Sequence, residues 1–520
     1  MNTFPRTGRG HAGPGEVHVG EVGLAAPAAR DGVRERRPSM SPGRPNGHDV
    51  RRRTMLIGGV TGALALGMPA RAAGGAPDRP VNILFAIADD WGHPDAGAYG
   101  SPAARTPTFD RLAAEGALFT RAFCAAPSCT PSRNAILTGQ APHRLGAGAN
   151  LWSELSAAFD VYPDLLGQAG YRVGRMRKGY GPGVSPQWPH DPAGPGFPSF
   201  EEFLGQQPER TPFCFWLGSS DPHRPYDPEL GEQSGIDPAA VDIPPYLPDT
   251  PEIRADVVNY LAEVQRFDRE VGDALQLLDE RGLAENTIVV MTGDHGWPWP
   301  RAKANTYDAG THVPLAIRWP GRARPGTVID RLTVLSDLAP TFLDTAGLPV
   351  PAAMTGQSLV PALSGTAAPR EFVVIERERH ARAREGNLSY PVRALRTDRW
   401  LYIRNFFPER WPAGDPDFDL GLQGIFGDID AGPTKTQLLE NRHEPEFAEA
   451  FRLATGKRPT EELYDLESDP HSLENLADDP ERAALKTRLR AQLRNWMRYT
   501  GDPRAVAPRT DFWDNVEYYG

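Results

Sequence analysis

The stretch VNILFAIADDWG, residues 81–92, decides the fold. Its first eight residues are almost continuously apolar, which is typical of a β-strand buried on both faces, and two aspartates follow directly. From residue 80 onward the chain alternates short apolar runs with helical patterns. We therefore predict an α/β fold with a mainly parallel central sheet flanked by helices.

Three more predicted strands end in the same way, a weaker one at 171–176 and two stronger ones at 213–217 and 287–291. In open α/β sheets, ligands bind beyond the carboxyl ends of the strands. Four strands that each deliver polar side chains past that end predict one shared site. The residues that follow the four strands are Asp89 and Asp90, Lys178, Asp221 and His223, and Asp294 and His295.

Composition excludes some classes of protein. A chain of 520 residues is long enough for two domains, and its 40% hydrophobic content is ordinary for a soluble globular protein. The formal charge of −11 argues against nucleic-acid binding, which needs a positive surface. Three cysteines cannot form a disulfide framework, although Cys124 could pair with Cys214 if Cys129 has another role.

The N-terminal region predicts export. Residues 1–50 are rich in Gly, Pro and Arg and are expected to be a disordered extension, whereas residues 51–72 combine three arginines, a short apolar run and a small-residue cleavage site. Arg52-Arg53 also fits a twin-arginine signal, so the partner would be the twin-arginine export machinery, and Met40 could be the true start. A non-cleaved anchor or a chance run is the alternative. We expect a periplasmic, cell-surface or secreted protein with no permanent membrane span.

Two parts follow the signal. Residues 80–365 are predicted to form the catalytic domain and residues 371–520 a smaller C-terminal α+β domain, with the boundary in the Pro/Gly/Ala-rich stretch 348–370. In the first part, residues 255–282 have apolar residues at helical spacing, with Gly282 as a C-cap. We interpret the charges of this helix as a solvated face without function.

One cysteine stands in an unusual setting, SCTPSRNAILTG, residues 128–139. Thr130 can cap a helix and Pro131 fits its first turn, so Cys129 would lie at a helix N-terminus that favours a bound anion. Arg133, four residues later, can reach back along the same face with a guanidinium suited to a tetrahedral oxyanion. The alternative is a buried structural cysteine beside a surface arginine.

The strand ends add a metal site and positive charge. Asp89, Asp90, Asp294 and His295 are ligands for a hard cation, although the aspartate pair could instead cap a helix and Asp294-His295 could be a hydrogen-bonded pair. Three further groups, Lys178, His223 and Lys303, are cationic or can donate a proton. Together these residues predict a receptor for a doubly charged oxyanion.

Six stretches carry a resemblance to a known family. They are AIADDWG from Ala86, CTPSRNAILTG from Cys129, AGYR with the lysine that follows it at Lys178, DPHRP from Asp221, TGDHG from Thr292 and KANTYDAGTHVPLAIRWPG from Lys303. In this order they resemble the type I sulfatases of the alkaline-phosphatase superfamily, from about residue 81 to the end.

The resemblance implies an alkaline-phosphatase-like fold and a sulfatase mechanism. It implies that a maturation enzyme converts Cys129 to formylglycine (3-oxoalanine) and that residue 129 then binds Ca²⁺. The other implied ligands are Asp89, Asp90, Asp294 and His295, where many members have Asn in place of the histidine.

In the implied reaction, the hydrated aldehyde attacks sulfur, three cationic groups stabilise the sulfuryl oxygens and His223 protonates the leaving group. The second hydroxyl of the hydrate then expels sulfate. The three cationic groups are Arg133, Lys178 and Lys303. Many sulfatases have a histidine two residues after the lysine, whereas this chain has Tyr180.

Two further stretches, 297–310 and 462–496, are most similar to the heparan N-sulfatase branch. That branch implies a sulfated sugar substrate, the N-sulfate of glucosamine. The alternatives are an O-sulfatase, a related phosphodiesterase or phosphonate monoester hydrolase, and a non-catalytic sulfoglycan-binding protein. Four tryptophans are either sugar-stacking walls or buried core residues: Trp188, Trp297, Trp299 and Trp411.

Overall fold

The computed structural model describes residues 80–419 and 423–520. The predicted extension, 1–50, and the predicted signal peptide, 51–72, lie outside the described residues. Within these, no helix is long and apolar enough to cross a membrane.

The strands of residues 80–419 and 423–520 form three sheets. In chain order they are β1 (Asn82–Ala88), β2 (Ala117–Phe123), β3 (Ser153–Glu154), β4 (Arg172–Met176), β5 (Gly183–Val184), β6 (Phe213–Gly218), β7 (Thr287–Gly293), β8 (His312–Arg318), β9 (Thr327–Ile329), β10 (Thr333–Val334), β11 (Val373–Arg377), β12 (Val392–Arg396), β13 (Trp400–Asn405) and β14 (Glu461–Asp465).

The helices are mostly short. In chain order they are α1 (Pro107–Glu115), α2 (Cys129–Thr138), α3 (Tyr162–Gln168), α4 (Phe200–Gly205), α5 (Pro228–Gln233), α6 (Pro251–Glu280), α7 (Asp308–Thr311), α8 (Leu338–Thr345), α9 (Val360–Leu363), α10 (Pro433–Glu440), α11 (Pro445–Thr455) and α12 (Ala483–Thr500).

The central sheet has the order β10-β2-β8-β7-β1-β6-β4, and β9 pairs with β2. Strands β7, β1, β6 and β4 are neighbours in this order and run parallel, while β8 is antiparallel to both β7 and β2. The mainly parallel α/β sheet predicted from the sequence is confirmed.

The four predicted strands are these four parallel neighbours, so their carboxyl ends meet at one edge of the sheet. The register aligns Ala88 of β1 with Gly293 of β7 and Ile87 with Gly218 of β6. Both glycines are required by close packing, because a Cβ on Gly293 would lie 2.2 Å from the carbonyl oxygen of Trp91 and one on Gly218 would contact that of Lys178. The loops that carry the polar residues therefore pass directly over the strand ends.

The two faces of β1 pack in separate cores, as expected when side chains alternate across a strand. Leu84 and Ala86 lie in one core, which also contains residues of α1, α4 and α6. Ile83, Phe85 and Ile87 lie in the other, with residues of α2, α3 and α8. The central sheet is thus covered by helices on both faces, and these two helical layers hold its carboxyl edge in position.

A second sheet, separate and antiparallel, has the order β11-β12-β13-β14. One face contributes Ile375 and Ile403 to a core that includes Phe123 of β2, and the other face packs on Leu489 and Leu493 of α12. The α+β character predicted for residues 371–520 is therefore confirmed. The predicted boundary stretch, 348–370, contains α9 and ends before β11, and the division into two domains stays a prediction.

Helix α6 is longer than predicted, and some of its charged residues are buried rather than exposed. It begins at Pro251, because the hydroxyl of Thr250 accepts a hydrogen bond from the N–H of Ile253, and Gly282 with φ of 64° follows its C-terminal end. The interpretation of its charges as a solvated face is wrong for three residues. Asp256, Glu263 and Asp268 are buried, since loops and helices from distant parts of the chain cover that side.

Candidate active site

Cys129 is the first residue of α2 and is 2% exposed. The N-cap is Ser128, not Thr130, so that detail of the prediction is wrong. The helix begins two residues earlier than expected, and the hydroxyl of Thr130 instead donates to the carbonyl oxygen of Pro182. Ser128 makes no cap bond, because its hydroxyl is hydrogen-bonded to Nδ1 of His380 at 2.8 Å. Pro131 lies in the first turn as predicted.

The predicted metal ligands surround the sulfur of Cys129. Sγ is 3.3 Å from Oδ1 of Asp89 and 3.4 Å from Nε2 of His295. One ligand atom from each of Asp89, Cys129, Asp294 and His295 lies within 4.8 Å of the others. We call these four residues together with Asp90 the site cluster. The structure brings all five together, from the ends of β1 and β7 and the start of α2.

The site cluster fits a divalent cation. Oδ1 of Asp90 is buried and makes no hydrogen bond, although it lies 3.0 Å from Nε2 of His295. Nδ1 of His295 lies 3.1 Å from the carbonyl oxygen of Gly296, and since a carbonyl only accepts, Nδ1 carries the proton. The lone pair of Nε2 and an unsatisfied carboxylate oxygen therefore point at the same space, as two ligands of one cation do.

The electrostatics of the site cluster also call for positive charge. Burial opposes protonation of His295, but Asp294 and Asp90 outweigh it and raise the pKa of the imidazole well above its usual value, so a cation bound at Nε2 would take the place of a proton. Burial raises the pKa of Asp90, yet Lys303, His223 and His295 together lower it below the usual range. Asp90 thus stays ionised, and a bound cation would lie beside its negative charge.

Arg133 is completely buried beside the site cluster. Its Nε donates to Oδ2 of Asp294 at 2.8 Å, and its other nitrogens reach the carbonyl oxygens of Gly179 at 3.1 Å and Ala88 at 3.3 Å. Because the guanidinium is engaged with these oxygens, its visible role is to hold Asp294 and the two strand-end loops. The alternative of a surface arginine is wrong, and its predicted contact with the sulfuryl group stays a prediction.

Two lysines bring positive charge to the aspartates. The ammonium of Lys178 contacts Oδ2 of Asp89. The ammonium of Lys303 is shared between Oδ2 of Asp90 and Oδ2 of Asp430, each at 2.8 Å. A lysine has three N–H donors, so Lys303 keeps one for a further acceptor.

His223 follows β6 and lies close to the site cluster. An atom of its ring, a carboxylate oxygen of Asp90 and Sγ of Cys129 lie within 4.8 Å of one another. Its Nδ1 is 2.6 Å from the carbonyl oxygen of Arg224 and so carries a proton, which leaves Nε2 available. The loop is fixed by Asp221, whose carbonyl oxygen accepts from the N–H of Asp89 at 2.9 Å.

A cavity of about 770 Å³ opens from these residues. It is lined by Asp89, Lys178 and His223 of the site and by two aromatic residues, Tyr180 and Trp152. None of the four tryptophans named from the sequence is among its lining residues. Trp297 and Trp299 instead line a different cavity of about 420 Å³, and Trp299 is buried.

Sequence reasoning missed Asp430, His380 and Trp152. Both Asp430 and His380 come from the C-terminal part. Asp430 bonds to Lys303, 127 residues away in sequence, and His380 bonds to Ser128, 252 residues away. No spacing pattern reports such contacts. Trp152 was missed because it lies, two residues after Asn150, in a segment that contains no recognisable catalytic or ligand-binding motif. All three cysteines are free and buried, so the Cys124–Cys214 pairing does not occur.

Two family models match the chain. The sulfatase model matches residues 81–185 and 196–348, and the model of the C-terminal part of N-sulphoglucosamine sulphohydrolase matches residues 293–412. The human N-sulphoglucosamine sulphohydrolase is 33% identical over 490 residues, which cover 83% of this chain and 92% of that protein. An ulvan-active sulfatase of Formosa agariphila is 29% identical over 446 residues, covering 81% of this chain and 80% of that protein.

Solved structures share the fold. BT4656, in complex with its substrate D-glucosamine-2-N,6-O-disulfate, has a TM-score of 0.62 at 19% identity, covering 85% of this chain and 100% of that chain. A phosphonate monoester hydrolase from Silicibacter pomeroyi has a TM-score of 0.60 at 19% identity, covering 82% and 97%. The fold is thus common to enzymes of different specificity. The sequence models and the human relative carry the assignment: this chain belongs to the sulfatase family and is a sulfatase.

Proposed function

We propose that this sulfatase releases the N-sulfate of glucosamine in a sulfated sugar, through a nucleophile made from Cys129. The observation that carries the proposal is the position of Cys129 Sγ, 3.4 Å from His295 and 3.3 Å from Asp89, a residue that lines the cavity. The choice of an N-sulfate is supported by the match of residues 293–412 to the N-sulphoglucosamine sulphohydrolase C-terminal model.

Cys129 as an unmodified thiol is a poor nucleophile. Burial raises its pKa, and the nearby carboxylate of Asp89 raises it further. Conversion to formylglycine would replace the thiol with an aldehyde, whose hydrate supplies an oxygen nucleophile at the same position. The site cluster would hold Ca²⁺, which supplies positive charge to lower the pKa of a coordinated oxygen.

The protein's own residues bind the sulfuryl group and hold its charge. The free N–H of Lys303 and the ammonium of Lys178 stand beside Asp90 and Asp89 and can contact the sulfuryl oxygens. Arg133 keeps Asp294 in place through the 2.8 Å hydrogen bond. Because all three side chains are held before the substrate enters, little reorganisation is needed during the reaction.

His223 is the proposed acid for the leaving group. Its Nδ1 proton is held by the carbonyl oxygen of Arg224, so a second proton on Nε2 can be given to a nitrogen or oxygen that leaves the sulfur. Cleavage of a sulfamate needs this proton, because an amide anion of a sugar amine is a poor leaving group. Tyr180 lines the cavity and is proposed to form a wall there.

The test is sulfate release by the matured enzyme from oligosaccharides ending in N-sulfoglucosamine or in 6-O-sulfoglucosamine. We expect release from the N-sulfated end, with Cys129→Ala inactive on both. Peptide mass spectrometry of residues 124–138 should show that Cys129 has lost its thiol mass and gained that of an aldehyde. Release from the O-sulfated end alone would contradict the N-sulfate proposal and keep the catalytic residues.

An O-sulfatase is the second candidate. N-acetylgalactosamine-6-sulfatase from Homo sapiens is 31% identical over 355 residues, covering 56% of this chain and 67% of that protein. The same substrate pair separates the two candidates. A phosphate diester and a phosphonate monoester belong in the assay as well, because the phosphonate monoester hydrolase has the same fold.

Export is also proposed, on the sequence of residues 51–72. We expect the mature protein to begin shortly after Ala72 and to lie outside the cytoplasm. N-terminal sequencing of protein from the cell exterior or periplasm measures this. Replacement of Arg52 and Arg53 by lysines should hold the protein in the cytoplasm, and normal export of that variant would contradict the twin-arginine route.

A further inference from the structure

A carboxylate in the cavity has no place in the reaction described above. Glu263 of α6 is 1% exposed and lines the cavity together with Lys178 and His223. A buried glutamate is uncommon unless it is paired or has a function. Its contacts therefore need a full account.

One oxygen of Glu263 is used and the other is not. Oε1 accepts from the N–H of Asp227 at 2.9 Å, and the guanidinium of Arg266 is 3.5 Å away. Nε and a terminal nitrogen of Arg266 already bind both oxygens of Asp221, at 2.5 and 2.7 Å. Within residues 80–419 and 423–520, Oε2 of Glu263 accepts no hydrogen bond, and it is not sealed from the cavity.

The cations of the cavity wall already have partners. Arg224 is bidentate on Asp256 at 2.7 Å for both bonds, and Lys178 contacts Asp89. Neither of these two cations contacts Glu263, and the nearby guanidinium of Arg266 gives its hydrogen bonds to Asp221. Consistent with this, burial raises the pKa of Glu263 to about 7, with Asp221 adding to the effect. Oε2 is an acceptor that lacks a donor.

The donor should be a hydroxyl of the substrate. A sugar that places its sulfate at the site cluster presents ring hydroxyls to the rest of the cavity, and a hydroxyl bound to a carboxylate makes a strong hydrogen bond. A second sulfate at the same place would instead bring a negative charge against Glu263. Glu263, on the α6 side of the cavity, can thus distinguish a sugar with a free hydroxyl from one that is sulfated at that hydroxyl.

We propose that Glu263 selects the substrate, by accepting a hydrogen bond from one free hydroxyl of the sulfated sugar and by excluding sugars sulfated at that hydroxyl. This inference rests on the proposed action on a sulfated sugar, and it holds for an N-sulfate or an O-sulfate. Glu263 is a specificity residue and takes no part in the transfer of the sulfuryl group.

The test pairs substrate changes with enzyme changes. The substrates are N-sulfoglucosamine, its 3-, 4- and 6-deoxy analogues, and the analogues with a second sulfate at each of these positions. The enzymes are the wild type, Glu263→Gln, and Glu280→Gln as a control. Glu280 is an exposed residue at the end of the same helix. Glutamine at 263 keeps an oxygen that can accept from Asp227 N–H.

In the wild type, one deoxy analogue should lose about 10- to 100-fold in kcat/KM, mostly through KM. In Glu263→Gln the loss on that analogue should be about tenfold smaller, and the corresponding disulfated sugar should gain about tenfold relative to the parent. Glu280→Gln should match the wild type on every substrate. A residue that only fixed the loop before α5 would change all substrates by one factor.

Equal losses in the wild type and Glu263→Gln on every deoxy analogue would overturn the proposal. If Glu263→Gln does not fold, Glu263→Asp provides the deoxy part of the test, because it withdraws the oxygen from the sugar; since it keeps the charge, it should still exclude the disulfated sugar. If the wild type cleaves only O-sulfated sugars, the proposed N-sulfatase function fails. The deoxy series is then made on the O-sulfated sugar, and the same coupling decides on Glu263.

Discussion

Two buried clusters of charge in this protein look alike and differ in one respect. The site cluster joins β1, β7 and α2, and a second one, the Arg393 cluster, lies on the face of the second sheet that packs on α12. The Arg393 cluster consists of Arg393, His143, Glu376, Glu378, Asp502 and Arg504. Each contains a group of His, Asp, Glu or Cys residues with ligand atoms within 4.8 Å of one another. Geometry alone would allow a metal in both.

Hydrogen bonding separates them. In the Arg393 cluster, Arg393 binds Asp502 at 2.7 Å and Glu378 at 2.8 Å, and His143 binds Glu376 at 2.8 Å. No side-chain atom of these described residues lacks a partner. In the site cluster Oδ1 of Asp90 has none. A satisfied set of buried charges holds the fold together, whereas an unsatisfied one is prepared for a ligand.

The largest expected effect is on activity and comes from substitutions that alter only the site cluster. Cys129→Ala and Cys129→Ser should each lower sulfate release by about 10⁴-fold or more, because the precursor of the nucleophile is lost. The temperature of unfolding should stay close to that of the wild type, since α2 keeps its N-terminal contacts. Substantial turnover by purified Cys129→Ala would refute the covalent mechanism.

The next effect concerns the metal. Asp294→Ala should lose the bound divalent cation, measured by elemental analysis, and about 10³-fold in activity, because Asp294 faces the other ligands and is held by Arg133. Asp502→Asn is the matched control in the Arg393 cluster and should leave metal content unchanged. Unchanged calcium in Asp294→Ala would remove Asp294 from the ligand set.

Arg393→Met should act on stability alone. It leaves Asp502, Glu378 and Glu376 buried without their guanidinium, so the free energy of unfolding should fall by about 3–5 kcal/mol. Denaturant titration measures this loss, and the metal content of the folded variant should equal that of the wild type. Loss of metal in Arg393→Met would mean that the two clusters are coupled.

The smallest expected effect depends on pH. Burial lowers the pKa of His143, but Glu376 outweighs it and raises the pKa above 6.5. The contribution of charged His143 to stability is then complete below pH 6.5 and is lost as pH rises through the raised folded pKa. His143→Gln should therefore cost about 1–3 kcal/mol at pH 5.5 and less at pH 9. An equal cost at both pH values would show that the imidazole is neutral.

The sequence predicts the site better than its surroundings. Asp89, Asp90, Asp294 and His295 follow strands whose apolar runs are unmistakable, and the rule that parallel strands end at one edge brings them together. The N-terminus of α6 could also have been found, because Thr250-Pro251-Glu252 is a capping signature.

The remaining features depend on tertiary contacts. Glu263 and Asp256 are buried because Asp227 and Arg224 of the loop after β6 cover them. Periodicity within one helix cannot indicate a partner from another segment. Tertiary partners also explain why Ser128, bonded to His380, gives no cap bond although its position is the N-cap.

The burial of Cys129 sets a time limit on its proposed conversion. At 2% exposure the thiol is out of reach of another enzyme once the chain has folded. His380, which is hydrogen-bonded to the neighbouring Ser128, is synthesised 252 residues after it. At synthesis rates of about 5–20 residues per second, the segment stays open for about 10 to 50 s. On the proposed conversion, a maturation enzyme would have to act before the chain folds, and a protein exported in folded form would carry the finished residue across the membrane.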